Sequence, residues 1–456
     1  MLLFKSEWRD HPLMGGAAGK GGIAGFLEEG YALIHDWKGM DNYFSDTGCL
    51  NRAGELAVRF GKTALVVANT GHDYVSTVLD SLSSAGVALA GGSVCPGARP
   101  NAPREDVLRI AACALEHKPD CIVAVGGGST IDACKAASVI AALALARGDG
   151  CISGSDIDLL FGTGKVSAAL SAAGCSRIPI VAVQTSASSA SHLTKYSNIT
   201  DVSLGQKKLI VDPALVPEYA LFDYDVTCSM PERITVDGLL DALAHSFEVF
   251  CGASESDYEY KRRIFACTAN LVLSCARTAL DNPCDKVARE GLGLASDLGG
   301  CAIMTGGTSG GHLTSFSFVD VAGHGTICAL MNPYYAVFFN KAIRPQLREM
   351  GRILALYGFL SSDYAALEGR PLAEAVAKGM MAFSKSVGAP VRLADIPGFS
   401  QQVHLDRALL AACDPDLKMK LQNMPVSMTS SDIMPYMRPV LLSAITGDLS
   451  LIVEKP

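Results

Sequence analysis

The stretch CIVAVGGGSTIDACKAA, residues 121–137, decides the fold of this chain. It starts as a buried strand, passes through three glycines, and continues as a helix that we predict to begin near Ser129. Glycines permit a tight turn and close approach of an anion, and a helix N-terminus favours negative charge there. Ser129 and Asp132 have the spacing of a capping box. The glycine spacing is not GxGxxG, so the segment is either a phosphate-binding loop or only a tight, well-capped turn.

The flanking sequence repeats the same strand–helix alternation. Residues 63–68 and 178–185 are short β-branched runs bounded by glycine, proline or serine, and residues 75–86 and 103–118 carry apolar side chains at helical spacing. Alternation of this kind predicts a parallel sheet with helices on both faces.

After about residue 229 the pattern becomes helical throughout. The predicted helices cover 235–251, 258–280, 328–339, 344–357, 372–387 and 431–445. We therefore expect an N-terminal extension of uncertain structure (1–50), an α/β nucleotide-binding domain (51–228) and an all-helical C-terminal domain (229–456).

Composition narrows the class of protein. The 456 residues carry a net charge of −8 and include no basic run with interleaved aromatics, so nucleic acid is not an expected partner. The apolar start is too short for a signal peptide, and the longest nearly apolar run, 136–146, is shorter than the roughly 20 residues of a membrane span. The 15 cysteines form no CxxC pair, which favours a reducing cytoplasm.

The segment DGLLDALAHSFEVF, residues 237–250, suggests a metal site. Asp241 and His245 are four apart on a predicted helix and share one face. An isolated pair of this kind is more often an Asp–His hydrogen bond than a metal site. His312 and His324 shift that balance, because both adjoin glycines, where an imidazole packs poorly. Together the four residues make a ligand set for a divalent transition metal, with Asp320 as the alternative to His312.

Several motifs in this order resemble those of the iron-containing (group III) alcohol dehydrogenases. They are GGGSTIDACK, QTSASSASHLTKYSNITD followed by GQKK, DALAH, the later HG before an apolar helix, and NMP near the C-terminus, within residues 55–453. The resemblance implies a dehydroquinate-synthase-like architecture: an N-terminal dinucleotide-binding domain, a helical C-terminal domain, and a metal in the cleft between them.

The resemblance also assigns roles to residues. It makes Asp241, His245 and His324 metal ligands. It implies cofactor contacts for a set spread over the N-terminal domain: Gly126, Gly127, Gly128, Ser129, Asp132, Thr185, Ser189 and Lys207.

Four positions depart from the family pattern. The usual PTTAGTGSE stretch reads QTSASSASH, which ends in His192, and the interval between His312 and His324 is only 12 residues. Family members commonly have a further histidine four residues after the one that corresponds to His312, and this chain has Phe316 there. Asn69 follows the first strand where NAD-preferring members commonly have Asp. These changes indicate a divergent branch.

The sequence therefore predicts a cytoplasmic, homodimeric oxidoreductase that transfers a hydride between NAD or NADP and a small alcohol, aldehyde or ketone. Fe²⁺ is the expected metal and Zn²⁺ the second candidate. Two alternatives are a dehydroquinate-synthase-like lyase and a non-catalytic metal- or nucleotide-binding protein.

Overall fold

The computed structural model describes residue 8 and residues 11–15, 22–39, 41–148 and 150–455. The chain divides into two units, which we call the α/β unit (Lys38–Thr227) and the helical unit (Met1–Trp37 with Cys228–Pro456). The α/β unit is thus inserted into the sequence of the helical unit. Two helices precede it, α1 (Pro12–Gly15) and α2 (Ala24–Lys38). The segment tested for a signal peptide, residues 1–10, lies outside the described residues except for Trp8.

The α/β unit alternates strands and helices as predicted. Its strands are β1 (Tyr43–Phe44), β2 (Thr63–Ala68), β3 (Ala88–Leu89), β4 (Cys95–Pro96), β5 (Cys121–Gly126), β6 (Gly162–Thr163), β7 (Ile180–Gln184), β8 (Tyr196–Asp201), β9 (Gln206–Val211) and β10 (Tyr219–Leu221). Its helices are α3 (Ala53–Ala57), α4 (Asp73–Ser84), α5 (Arg104–His117), α6 (Gly128–Arg147), α7 (Gly154–Asp158) and α8 (Lys165–Ala173).

The main sheet is parallel, with the order β1-β10-β7-β5-β2-β3 and with β4 also paired to β2. Successive side chains of its central strands enter different cores, with Ile122 and Ala182 on one face and Val123 and Val181 on the other. Both faces are buried, as expected for a parallel sheet covered by helices. A smaller sheet, β6-β9-β8, carries an antiparallel ribbon formed by β8 and β9.

Helix α6 is the one helix among the described residues that is long and apolar enough to cross a membrane. Of its most apolar window, 78% is buried inside the unit. Burial against the sheet accounts for this composition, because the central helix of a globular domain passes the same test of length and hydropathy.

The helical unit continues with ten further helices in the described residues. They are α9 (Glu232–Cys251), α10 (Tyr258–Asp281), α11 (Lys286–Thr305), α12 (Gly310–Ser315), α13 (His324–Phe338), α14 (Arg344–Leu356), α15 (Gly369–Ser386), α16 (Gln401–Ala412), α17 (Lys418–Gln422) and α18 (Arg438–Thr446). The predicted helix 431–445 is in fact a 3₁₀ turn, a π-helical turn at Ile433–Met437, and α18.

Helix α11 was not predicted from the sequence, because its four glycines argue against a helix. The structure shows why glycines are present. A Cβ on Gly291 would overlap the Cys275 sulfur of α10, and one on Gly299 would lie 3.3 Å from the Ala242 Cα of α9. The missing side chains let three long helices pack closely, and that packing outweighs the low helix propensity.

Candidate metal centre and cofactor loop

The triple-glycine turn joins β5 to α6, which begins at Gly128, one residue earlier than predicted. A Cβ on Gly127 would lie 2.8 Å from Ser186 Oγ, and a Cβ on Gly128 would overlap Ser189 Oγ. The glycines therefore let the 186–189 segment pack directly on the turn. The N–H groups of Gly128 and Ser129 have no protein acceptor in the described part of the chain. They remain available to an anion, as at other helix N-termini that bind phosphate.

The predicted capping box is wrong, since no side chain caps α6. The Asp132 carboxylate instead accepts hydrogen bonds from Asn198 N at 2.9 Å and from Ser191 Oγ. The Ser129 hydroxyl accepts from Asn101 N at 3.0 Å. Both side chains thus turn away from the helix end and tie the start of α6 to neighbouring segments.

Two of the predicted hydroxyl residues lie beside this turn. Thr185 directly follows β7, and its N–H donates to Gly126 O at 3.1 Å. The Ser189 hydroxyl is buried and has no hydrogen-bond partner among the described residues. A buried unsatisfied hydroxyl is unusual and suits a position that meets a ligand.

The remaining predicted cofactor residues lie elsewhere in the α/β unit. Asn69 is exposed directly after β2, and its Oδ1 is 2.9 Å from the position that a Cβ on Gly97 would take. Lys207 is buried on β9, paired with Thr200 of β8. His192, which replaces the usual acidic residue, is buried in ring contact with Tyr43 and Phe222.

In the helical unit, three histidines surround one carboxylate oxygen. Asp241 Oδ1 is 3.7 Å from His245 Nε2, 3.6 Å from His312 Nε2 and 3.9 Å from His324 Nε2. Asp241 Oδ1 and His312 Nε2 are buried and have no hydrogen-bond partner among the described residues. Ligands about 2.1 Å from a tetrahedral metal lie about 3.4 Å apart. The separations from Asp241 and the unsatisfied atoms fit a bound cation better than an Asp–His hydrogen bond. The ligand atoms of Asp241, His312 and His324 also lie within 4.8 Å of one another, in a cluster that does not include His245.

Glu248, which the sequence analysis missed, orients one of these rings. It lies on α9 with Asp241 and His245, and its carboxylate is 2.8 Å from His312 Nδ1 and accepts from Ser309 N at 2.7 Å. Burial raises the pKa of Glu248, but His312, the Ser309 N–H and the Lys420 charge together outweigh burial, and the net shift is downward. An ionised carboxylate can only accept a hydrogen bond, so His312 Nδ1 carries a proton and Nε2 is the ring nitrogen that faces Asp241.

Ser315 orients His324 in the same way. The serine hydroxyl donates its single proton to His312 O at 2.7 Å, so it accepts from His324 Nδ1 at 3.0 Å. His324 Nε2 is then left as the ring atom that faces Asp241. The sequence gives no signal for the contacts of Glu248 and Ser315 with these histidines, because both contacts depend on where α12 packs.

The protonation states also suit a metal. Burial lowers the pKa of His245 to about 4. Burial alone would raise the pKa of Asp241, but the charges of the neighbouring histidines outweigh it and the pKa falls below the usual range. At neutral pH the site thus offers a neutral His245 and an ionised Asp241, the forms that ligate metals. Burial would lower the pKa of His312, but Cys328, Glu248 and Asp241 outweigh burial and raise that pKa, so a metal bound at His312 would displace a proton.

Cys328 is a further residue that the sequence analysis did not single out. It lies on α13, four residues after His324, and its sulfur is within 4.8 Å of the ligand atoms of Asp241, His312 and His324. Asp320, the predicted alternative to His312, is 46% exposed and pairs with Arg407 at 2.9 Å. The structure therefore brings His312, and not Asp320, to the other candidate ligands.

The four glycines before His312, at positions 306, 307, 310 and 311, are required by packing and not by backbone conformation. None of them has a positive φ. A Cβ on Gly307 would overlap the Asn423 amide, and one on Gly310 would overlap the Tyr335 ring. They allow close packing of the 306–311 segment against α13 and the residues after α17.

Two models of one family match this chain: "Iron-containing alcohol dehydrogenase" over residues 41–224 and "Fe-containing alcohol dehydrogenase family, C-terminal" over residues 235–436. The chain belongs to the iron-containing alcohol dehydrogenase family. The predicted family, fold class and enzyme class are confirmed. The dehydrogenase is an NAD-linked, metal-dependent alcohol oxidoreductase, and the lyase and non-catalytic alternatives are not favoured.

The relatives of the dehydrogenase are distant. The NAD-dependent methanol dehydrogenase of Bacillus methanolicus is 24% identical over 364 residues, 78% of this chain and 88% of that one. Long-chain-alcohol dehydrogenase 1 of Geobacillus thermodenitrificans is 27% identical, over 55% of this chain and 60% of its own length. The structure of NADH-dependent butanol dehydrogenase A from Thermotoga maritima matches with a TM-score of 0.71 and 22% identity, covering 89% of this chain and 96% of that one. Such a structural likeness shows the fold alone.

Proposed function

We propose that the dehydrogenase holds a divalent metal ion on Asp241, His245, His312 and His324. Fe²⁺ is the expected ion and Zn²⁺ is the second candidate. We propose further that NAD or NADP lies on the turn at Gly126–Ser129 and near Asn69, Thr185, Ser189 and Lys207. The reaction is reversible hydride transfer between the nicotinamide and a small alcohol, aldehyde or ketone.

One observation carries this proposal: three imidazole nitrogens lie within 3.9 Å of a buried carboxylate oxygen that has no hydrogen-bond partner among the described residues. An isolated buried carboxylate is unfavourable unless something compensates its charge. A divalent ion held there would act as a Lewis acid on a substrate oxygen and stabilise the alkoxide.

The residues of the chain orient the proposed metal ligands and the cofactor. Glu248 and Ser315 fix the rings of His312 and His324, so that both Nε2 atoms face the same point. The Gly128 and Ser129 amides hold the cofactor pyrophosphate.

Phe316 stacks on His324, with ring centroids 5.8 Å apart, at a position where the family pattern commonly has a histidine. Because phenylalanine carries no proton, we expect water or a ribose hydroxyl of the cofactor to relay the alcohol proton.

A turnover assay tests the function. Protein loaded with Fe²⁺ or with Zn²⁺ should oxidise NADH in the presence of short aldehydes, and the loss of nicotinamide absorbance is the readout. Protein stripped with a chelator should lose this activity and regain it when metal is restored. Turnover that survives complete metal removal, with elemental analysis as the check, would contradict the metal-dependent reaction.

Asn69 is expected to make the dehydrogenase tolerant of both cofactors. An acidic residue after the first strand hydrogen-bonds the ribose 2′-hydroxyl and repels a 2′-phosphate, whereas asparagine keeps the hydrogen bond without the charge. We expect kcat/KM for NADH and NADPH to differ by less than about a hundredfold, roughly 2.7 kcal/mol. Asn69→Asp should shift the ratio toward NADH by at least about tenfold. A ratio that does not change in this variant would show that another residue selects the cofactor.

We also propose a cytoplasmic location and a homodimer. All 15 cysteines lie in the described part of the chain and none forms a disulfide bond there, which supports a reducing compartment. A symmetric dimer is the commonest assembly of soluble enzymes, and sedimentation analysis of the holoenzyme measures it directly.

A further inference from the structure

Lys420 is a buried cation with too few partners. The residue lies on the short helix α17 and is 4% exposed. Its Nζ donates to Thr308 Oγ1 and lies 5.5 Å from the Phe316 ring centroid. No carboxylate pairs with it and no second acceptor binds it among the described residues. An ammonium has three donors, so two N–H groups lack a protein acceptor, which is costly in a buried position.

Two other buried lysines of this chain show how burial is normally compensated. Lys135 Nζ donates to Thr194 O and to Tyr196 O, each at 2.8 Å. Lys261 Nζ is 2.7 Å from an Asp257 carboxylate oxygen. Lys420 has neither two carbonyls nor a carboxylate, so its missing partner is not supplied by the described protein.

Lys420 adjoins the proposed metal centre. The Phe316 ring near its ammonium stacks on His324. Thr308, its hydrogen-bond partner, precedes Ser309, whose N–H binds the Glu248 carboxylate that holds His312. One aromatic ring and one loop thus connect this cation to two of the proposed ligands.

We propose that Lys420 binds an anionic group of the substrate, such as a carboxylate, a few carbon atoms from the carbon that exchanges the hydride. This proposal rests on the proposed oxidoreductase function and names the class of substrate as hydroxy acids and oxo acids. A carboxylate would accept hydrogen bonds from the two remaining N–H groups of Lys420 and would neutralise its buried positive charge. Burial lowers the pKa of Lys420 to about 8, while the Glu248 charge opposes that effect, so the side chain remains mostly cationic at neutral pH.

Steady-state kinetics on matched substrates test the proposal. Metal-loaded wild type, Lys420→Met and Lys420→Arg are compared on ω-oxo carboxylates of two to five carbons and on unbranched alkanals of the same lengths. We expect wild type to favour an acid over its matched alkanal by at least about tenfold in kcat/KM. Lys420→Met should lose that preference through a raised KM for the acid, with alkanal turnover unchanged within about threefold. Lys420→Arg should retain part of it.

Lys261→Met is the matched control, because it also removes a buried lysine but leaves Lys420 in place; it should keep the acid preference. If Lys420→Met lowers acid and alkanal turnover equally, Lys420 only supports the loop at Thr308 and the proposal fails. Metal content, measured on each variant, identifies such a structural effect. A wild type without preference for acids also overturns the proposal, and this outcome does not require any variant to fold.

Direct binding separates failure of this proposal from failure of the proposed function. Succinate is titrated calorimetrically into wild type and Lys420→Met at constant ionic strength. We expect the dissociation constant to rise at least about tenfold in the variant. If wild type turns over neither substrate series but binds succinate through Lys420, the oxidoreductase function fails and the anion site stands. If the two proteins bind succinate equally, the anion site is wrong whatever the turnover.

Discussion

Asp241→Ala is expected to lose its metal and its activity while it keeps its fold. This carboxylate supplies the one negative charge of the proposed ligand set, and its Oδ1 faces all three histidine Nε2 atoms. Metal affinity should fall by more than the roughly 10- to 100-fold typical of residues that only orient a ligand. Elemental analysis after dialysis gives the metal content, and circular dichroism gives the fold. Full metal content in this variant would remove Asp241 from the site.

Two further variants make this experiment a graded series. Glu248→Gln keeps the size of the side chain and an acceptor for His312 Nδ1 but removes the charge, so metal affinity should fall by about 10- to 100-fold. His312→Ala should weaken binding by at least tenfold, about 1.4 kcal/mol. Asp320→Ala should have no effect, because that carboxylate is 46% exposed and paired with Arg407. Metal loss in Asp320→Ala with retention in His312→Ala would reverse the assignment of the third histidine.

Gly128→Ala is expected to raise the dissociation constant for NAD at least tenfold, or about 1.4 kcal/mol. The added Cβ overlaps Ser189 Oγ and crowds the amides that would meet the pyrophosphate. A fluorescence titration of the cofactor measures the change. The matched control is Gly25→Ala, because a Cβ there has no atom within 4 Å. An unchanged titration of Gly128→Ala would contradict the cofactor loop.

A double variant distinguishes the two causes of that loss. Ser189→Gly removes the hydroxyl that the new methyl group would overlap. Ser189→Gly alone is the reference, because the lost hydroxyl is itself a proposed cofactor contact. If Gly128→Ala with Ser189→Gly binds the cofactor as Ser189→Gly alone does, displacement of the 186–189 segment explains the defect. If the double variant binds more weakly than Ser189→Gly alone, the methyl group itself blocks the pyrophosphate.

The sequence predicts well whatever depends on local periodicity. β2, β5 and β7 appear as β-branched runs, and α9 appears with Asp241 and His245 on one face, because burial of one side imposes a repeat on the residues. The convergence of His312 and His324 on that face was suggested by their glycine neighbours and by family resemblance, and not by spacing.

Features that depend on packing between distant segments were missed or misinterpreted. Glu248 has the pattern of an ordinary helical residue, and only the position of α12 gives its carboxylate a histidine to hold. The Ser129–Asp132 spacing fits a capping box, but the Asp132 carboxylate accepts hydrogen bonds from Asn198 of β8 and from Ser191 before it, and so does not cap α6. Helix α11 has glycines that depress local propensity and are explained only by the helices they touch.

The inserted position of the α/β unit has a consequence for synthesis on the ribosome. Helix α2 belongs to the helical unit, where Glu29 pairs with Arg263 and Tyr31 hydrogen-bonds Glu290. These partners emerge more than two hundred residues after α2, which at about 5–20 residues per second is a delay on the order of tens of seconds. During that interval the apolar face of α2 has no native surface to cover. The dehydrogenase therefore completes its second unit only late in translation, and nascent chains that pause between the units are the species that a chaperone would meet.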